Sequence, residues 1–146
     1  MAVGEILMSG VDAEINTGTV SVPVWTAIGG ITNIGHTPAT TRADTHNFDT
    51  PGRSRHRVVR RGDSFTIQAQ RQEDESNGDR DAGQDAIETA GKAIGTSAEK
   101  QYRLTSPGGS TLTFLASAEV TQLGGGTDDV ATWQAVLEVT GDITYA

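Results

Sequence analysis

The chain lacks cysteine entirely, and its 146 residues hold only three phenylalanines, two tyrosines and two tryptophans. The absence of cysteine excludes disulfides, thiolate nucleophiles and zinc–thiolate sites. So few aromatic side chains predict a thin core built from alanine, valine, leucine and isoleucine. No apolar run approaches the roughly 20 residues that a membrane-spanning helix needs, and we expect no signal peptide because no basic region followed by an apolar one opens the chain.

Positive charge is also scarce, because 11 lysines and arginines stand against 19 aspartates and glutamates, giving a formal net charge of -8. Such a balance opposes a general affinity for the phosphate backbone of nucleic acids. The sequence contains no nucleophile-elbow, zincin or Walker pattern, and its glycine run at residues 124–126 precedes a strand pattern rather than a helix. We therefore predict a protein that is not an enzyme and that uses no cofactor.

Alternating apolar and polar residues are the main structural signal, and they are clearest near the C-terminus. Side chains on a strand point alternately to opposite faces, so this pattern predicts strands with one apolar and one polar face. Similar alternation over residues 20–26, 64–71, 100–105 and 110–122, together with two short strands expected at 41–48 and 55–59 in the long segment, brings the expected number of strands to about seven. The apolar set of the C-terminal strand is Ala131, Trp133, Ala135, Leu137 and Val139.

One segment, about residues 80–94, has apolar residues at spacings of three and four, which predicts an amphipathic helix. Asp79 or Asp81 is a candidate N-cap, and Gly95 is a candidate stop. The predicted fold is mainly β (all-β or α+β): an antiparallel β-sandwich with one flanking helix and a long projecting loop or hairpin. We predict an N-terminal arm over residues 1–19 and a single domain over residues 20–146.

Two clusters of opposite charge flank the middle of the chain. A basic cluster lies in the long segment 35–63, and an acidic cluster leads into the predicted helix. Separate patches of opposite sign favour head-to-tail association between copies, although independent solvated surfaces have the same composition. The basic residues are Arg42, Arg53, Arg55, Arg57, Arg60 and Arg61, and the acidic ones are Glu73, Asp74, Glu75, Asp79 and Asp81.

Three other interpretations of these clusters are weaker. The long segment also holds His36, His46 and His56, but their wide spacing and the arginines around them argue against a metal site. The acids do not follow the ligand spacing of a calcium loop. The arginines lack the interleaved aromatic residues that single-stranded nucleic acid binding uses.

The chain resembles the major tail (tail tube) proteins of long-tailed bacteriophages of the siphophage type. The residues that carry the resemblance are 25–35 (WTAIGGITNIG), the long loop after them, the alanine-rich helix and the closing stretch 124–144 (GGGTDDVATWQAVLEVTGDIT). The resemblance implies a structural virion protein that assembles as stacked homohexameric rings into a hollow tube, through which DNA passes on ejection. It implies a location in the virion tail, with assembly in the host cytoplasm.

The resemblance also implies roles for particular residues. The long loop and the N-terminal arm are expected to contact the adjacent ring, and one sheet face is expected to line the lumen. The implied partners are further copies, other tail proteins at the tube ends, a tape-measure protein in the lumen, and DNA only in transit, without a membrane. The expected lumen-face residues are Thr66, Gln68, Gln70, Thr113, Ser117, Glu119, Gln134 and Glu138.

A monomeric β-sandwich that binds a carbohydrate or a protein on a virion or cell surface is the alternative function. Such a module presents an exposed aromatic cluster. In this sequence Trp25, Tyr102, Trp133 and Tyr145 stand far apart.

Overall fold

The computed structural model describes residues 4, 10–44, 52, 56–128 and 130–146. The chain is mainly antiparallel β-structure with one flanking α-helix, as the sequence predicted. In chain order the elements are β1 (Asp12–Asn16), β2 (Trp25–Ala27), β3 (Ile31–Asp44), β4 (His56–Gln70), α1 (Ala82–Lys92), a short 3-10 helix (Gly95–Ala98), β5 (Glu99–Thr105), β6 (Thr111–Gly124) and β7 (Thr132–Tyr145).

All seven strands of the described residues form one hydrogen-bonded sheet in the order β2-β1-β5-β6-β7-β4-β3. The two edge strands, β2 and β3, are joined by residues 28–30 alone. This link reaches at most about 14 Å, whereas the edges of a flat seven-stranded sheet lie about 29 Å apart. The sheet therefore curls until its edges approach each other, which produces the facing layers of the predicted sandwich.

The side chain of Gln84 closes the corner where the two edges meet. Its amide donates to the carbonyls of Gly29 (2.8 Å) and Gln70 (2.9 Å). The N–H of Gln70 donates to Gly30, which adopts a φ of +72° that favours glycine. Gln84 is 1% exposed, so this buried amide fixes the start of α1 to both ends of the curled sheet.

Four rings form a continuous stack on the concave face of the sheet, with His36 at its exposed end. Ring centroids lie 4.3 Å apart for His36 and Phe65, 4.4 Å for Phe65 and Phe114, and 5.8 Å for Phe114 and Tyr102. Strand β7 separates the strands of Phe65 and Phe114, so their close contact also requires strong curvature. Other core residues at alternate strand positions are Ala13, Ile15, Ile67, Ala69, Ala116, Trp133, Ala135 and Leu137.

Helix α1 lies inside the predicted range 80–94 and packs its buried Ile87 into this core. Asp81 is the N-cap, because its carboxylate accepts a hydrogen bond from the N–H of Gln84 at 3.1 Å. At Gly83 a Cβ atom would lie 2.4 Å from the carbonyl oxygen of Ala27. The first turn of the helix therefore approaches the backbone at the end of β2 more closely than any other residue type allows.

The strand predicted to begin at Val20 begins later, at Trp25. Backbone hydrogen bonds from Thr17 to Val24 (2.8 Å) and from Thr19 to Val22 (3.1 Å) nevertheless continue the β1–β2 ladder toward a turn. Strand β1 lies within the segment predicted as an N-terminal arm and pairs with β5 inside the sheet. The end of this hairpin leaves three valines exposed: Val20, Val22 and Val24.

The predicted projecting hairpin is confirmed and is longer than its two expected short strands. Strands β3 and β4 pair from Ile31↔Ala69 to Asp44↔His56. The pairing of β4 with β7 stops at Ser64↔Glu138, so the outer parts of β3 and β4 leave the body of the sheet. We call this projecting pair, residues 37–44 and 56–63, the basic hairpin.

Gly83→Ala tests the close approach of α1 to β2. We expect it to lower the free energy of unfolding by about 1–3 kcal/mol, since the added methyl group must displace backbone. Gly91→Ala is the matched control in the same helix, because its Cβ would lie 3.4 Å from the nearest atom, the Ala118 carbonyl oxygen. We expect the control to leave the free energy of unfolding unchanged or to raise it by up to about 1 kcal/mol, as measured by urea unfolding. Equal losses of stability in both variants would contradict this packing.

Candidate assembly surfaces

The polar residues predicted to line a lumen share one surface, the convex face of the sheet opposite the core, which we call the outer face. The pairings Gln68↔Gln134 and Ser64↔Glu138↔Ser117 place residues of β4, β7 and β6 side by side. Alternation along each strand then assigns the rest to the same face. The predicted residues on it are Thr66, Gln68, Gln70, Thr113, Ser117, Glu119, Gln134 and Glu138.

Side-chain amides cross the outer face as a hydrogen-bonded row. The amide of Asn33 donates to the side-chain oxygen of Gln68 at 3.3 Å, and the amide of Gln68 donates to that of Gln134 at 3.2 Å. Sequence analysis missed Asn33, because only the pairing of β3 with β4 brings it next to Gln68. In this row the neutral amides hydrogen-bond to one another, and they add no charge to the face.

The net charge of the outer face is negative. Glu99, Glu119 and Glu138 lie on it. Among the described residues of β5, β6, β7 and the 64–70 part of β4, Arg103 is the single cation on this face. Arg103 forms a two-pronged ion pair with Glu14, with both oxygens 3.0 Å from one guanidinium nitrogen, and its guanidinium lies 4.5 Å from the Trp25 ring centroid.

The basic hairpin carries the described arginines of the predicted basic cluster, and all of these are exposed. They are Arg42, Arg57, Arg60 and Arg61. The other two predicted members of this cluster, Arg53 and Arg55, lie outside the described residues. A register shift between Thr41 and Arg42 forms a bulge in the hairpin, beside the exposed Val58 and Val59.

The acidic cluster follows β4 at its other end, in the segment 72–81, which we call the acidic segment. Glu73, Glu75 and Asp79 are exposed there. Asp74 is also exposed, and hydrogen bonds from the side chain and backbone of Ser76 hold the pKa of its carboxyl below the ordinary value. Asp81 differs from the others because it caps α1 and accepts the Gly29 N–H at 3.0 Å, which gives it a structural role.

A buried charged contact, which sequence analysis missed, joins the acidic segment to the core. The indole N–H of Trp133 donates to the carboxylate of Glu88 at 3.0 Å, and Arg80 forms an ion pair with the same carboxylate. Burial opposes ionisation of Glu88, but the bonds from Arg80 and Trp133 outweigh it, so the pKa of Glu88 lies below the ordinary value. The only sequence signal was a glutamate on the apolar side of the helix, one position after Ile87.

The basic hairpin and the acidic segment lie at opposite ends of the same strand. Strand β4 runs from His56 in the basic hairpin to Gln70, just before the acidic segment. Fifteen residues of strand extend over about 46 Å. The molecule is therefore electrically polar along β4, with exposed arginines at one end and exposed carboxylates at the other.

The described part of the chain holds no candidate metal centre. No group of three or more histidine or carboxylate side chains there is arranged to hold a metal ion. Of the three histidines, His46 lies outside it, whereas His36 stacks on Phe65 and contacts the carboxylate of Asp63 at 3.1 Å. No helix among the described residues is both long and apolar enough to cross a membrane.

Comparison with solved structures finds this fold in tail-like particles. A chain of a structure described as the tail of an empty gene transfer agent particle, with C6 symmetry, aligns with a TM-score of 0.65 at 10% identity, over 96% of this chain and 98% of that one. A chain of the native gene transfer agent virion gives a TM-score of 0.64 with the same identity and coverage. A chain of the six-fold symmetrised anti-feeding prophage baseplate gives 0.53 at 10% identity, over 100% of this chain and 97% of that one.

Because the sequence identity is only 10%, these likenesses show the fold alone. No family model and no curated protein matches the sequence. The chain thus has the fold of subunits found in phage-like tails and baseplates.

Glu88→Gln tests the buried charged contact through its pH dependence. Because the pKa of Glu88 is lowered on folding, its stabilisation is complete above the ordinary glutamate value of 4.5 and is lost as pH falls through the folded value. We expect the variant to lose about 1–3 kcal/mol at pH 7 and to approach the parent protein in urea titrations as the pH falls below 4.5. Asp85→Asn is the control, since Asp85 lies 3.9 Å from Arg80 and is largely exposed, and a pH-independent loss for Glu88→Gln would refute the assignment.

Proposed function

We propose that this protein is a structural subunit that polymerises as stacked hexameric rings into the hollow tube of a phage-type tail, a conduit for DNA ejection. The observation that carries the proposal is the electrical polarity along β4. A surface that is basic at one end and acidic at the other is complementary to a second copy placed in line with it. Head-to-tail contacts do not stop at a dimer, because each added copy leaves another binding end free, so they continue into rings or filaments.

The fold comparisons support the same arrangement. The gene transfer agent tail and the anti-feeding prophage baseplate are described as six-fold structures, and chains of both align with nearly the whole of this chain. Among the described residues, no strand pairs with the outer edge of the fourteen-residue strand β3. Open edges of this length promote pairing with further chains, which in a ring are the neighbouring copies.

The outer face is our proposed lining of the lumen. Duplex DNA is held by lysine and arginine contacts to phosphate, and each contact adds to the salt-dependent affinity. The outer face offers carboxylates, hydroxyls and the row of amides, and its arginine is already paired with Glu14. A lining of this composition repels phosphate weakly, so DNA passes without being retained.

The remaining parts of the proposal concern partners and location. The basic hairpin and the predicted N-terminal arm (residues 1–19), except for the β1 segment that pairs inside the sheet, contact the adjacent ring. Other tail proteins close the ends of the tube, a tape-measure protein occupies the lumen before DNA, and no membrane contact is required. The assembled protein belongs to the virion tail and is built in the host cytoplasm.

A monomeric carbohydrate-binding module has little support from the aromatic residues. Trp133 and Tyr102 are buried in the core, and Trp25 lies against Arg103. Of the four aromatic residues that this alternative uses, only Tyr145 is largely exposed. No aromatic platform for a sugar is present among the described residues.

Electron microscopy and sedimentation of the purified protein test the assembly. We expect rings of six subunits, and tubes at high concentration or with an initiating tail complex. A monomer that sediments as such at millimolar concentration, with no rings on grids, would sink the proposal. Binding on a glycan array by that monomer would instead favour the carbohydrate-binding module.

Adding positive charge to the outer face tests its role as the lumen. We expect Gln134→Lys combined with Glu138→Lys to assemble normally but to retain duplex DNA, with an affinity that falls steeply as salt rises. Asp85→Lys with Thr89→Lys adds the same charge on the exposed side of α1 and is the matched control. Filter binding and co-sedimentation with assembled tubes measure the difference, and equal DNA retention by both variants would exclude the outer face as the lining.

A further inference from the structure

Two consecutive exposed valines interrupt the arginines of the basic hairpin. Val58 is 40% exposed and Val59 is 57% exposed. Thr41 pairs with Arg60 and Arg42 pairs with Val58, so the bulge leaves Val59 without a partner residue on β3. Neither valine belongs to the hydrophobic core formed by the described residues. They have the composition of an anchor for a contact with another molecule.

A matching surface lies at the other end of β4. The pairings of Thr132 with both Gly124 and Gln70 bring the ends of β6 and β4 and the start of β7 together. Leu123 and Val130, which flank the β6–β7 connection, are 52% and 61% exposed. A neighbouring cleft of about 360 Å³ is lined by Arg71, Glu73, Glu75 and Ala131. This end therefore combines exposed apolar side chains with exposed carboxylates.

We propose that the basic hairpin of one copy docks on this end of a second copy, with Val58 and Val59 against Leu123 and Val130. The flanking arginines, Arg57, Arg60 and Arg61, then lie against Glu73 and Glu75. This inference rests on the proposed head-to-tail assembly and names the residues of its contact. Exposed ion pairs contribute little on their own, so the valines supply most of the affinity and the charges set the direction.

Charge complementarity favours a second copy of this chain as the partner of the basic hairpin. The other exposed valines, Val20, Val22 and Val24, lie on a hairpin end without charged residues, so nothing orients them toward the acidic end. Nucleic acid would satisfy the arginines but would leave Val58 and Val59 exposed to phosphate and water. The paired composition, valine with arginine on one end and valine or leucine with glutamate on the other, fits a further copy of the same chain.

Cysteine cross-linking tests the contact cleanly, because the native chain has no cysteine. One sample carries Val59→Cys and the other Val130→Cys, and the two are mixed in equal amounts and oxidised. We expect a mixed disulfide dimer in at least tenfold greater yield than from the control pair Val20→Cys and Val130→Cys. Val20 is 73% exposed, so random collision alone favours the control. Equal yields would overturn the proposal.

A second measurement separates the apolar and charged parts of the contact. We expect Val58→Ser with Val59→Ser to weaken self-association equally at 50 mM and 500 mM salt, whereas the effect of Arg60→Glu with Arg61→Glu shrinks at high salt. Adding Glu73→Arg and Glu75→Arg in the partner sample should restore association with the arginine variant. Failure of the restoration, or unchanged association of the valine variant, counts against the contact.

The outcomes distinguish this contact from the assembly itself. Rings or tubes without the 59–130 cross-link leave the proposed function standing and refute this contact. The cross-link without rings or tubes supports the contact and refutes the tail-tube assembly.

Discussion

The curl of the sheet depends on one constraint, the link of residues 28–30 between its two edge strands. Such a short link forces a seven-stranded sheet to close on itself, so one face becomes a core and the other becomes a convex polar surface. The buried amide of Gln84 holds this corner, and Asp81 and Gly83 fit the start of α1 against it. The few aromatic residues still contact one another, because the curl stacks the rings of His36, Phe65, Phe114 and Tyr102 in one column.

The basic hairpin projects for a separate reason, the length of β4. Strand β4 is longer than its pairing with β7, which ends at Ser64↔Glu138, so its first half continues beyond the body with β3. A single strand then carries arginines at one end and leads into carboxylates at the other. Polarity of this kind is a property of the whole strand, and it gives the molecule two complementary ends. The proposed stacking of copies uses this property.

Much of the fold was accessible from the sequence, and the reasons are local. Alternation over residues 131–139 predicted β7 and its buried face, and spacings of three and four predicted α1 almost to its observed bounds. The strand expected from Val20 was placed too early, because alternating valines satisfy a period of two whether or not a sheet covers them. The contact of Glu88 with Trp133 and Arg80 was missed because it joins residues of different elements.

The sequence by itself determined which residues share a face, since the period of two for strands and of about 3.6 for helices is a property of the local backbone. It also determined that the chemistry of cysteine is absent. Only the tertiary structure decided which faces and segments meet. It places Asn33, Gln68 and Gln134 in one row and makes Asp81 the cap of α1. It also places the two charged clusters at opposite ends of β4. The physical reason is that strand pairing and curvature are long-range choices, made by links, bulges and buried polar contacts that local periodicity does not encode.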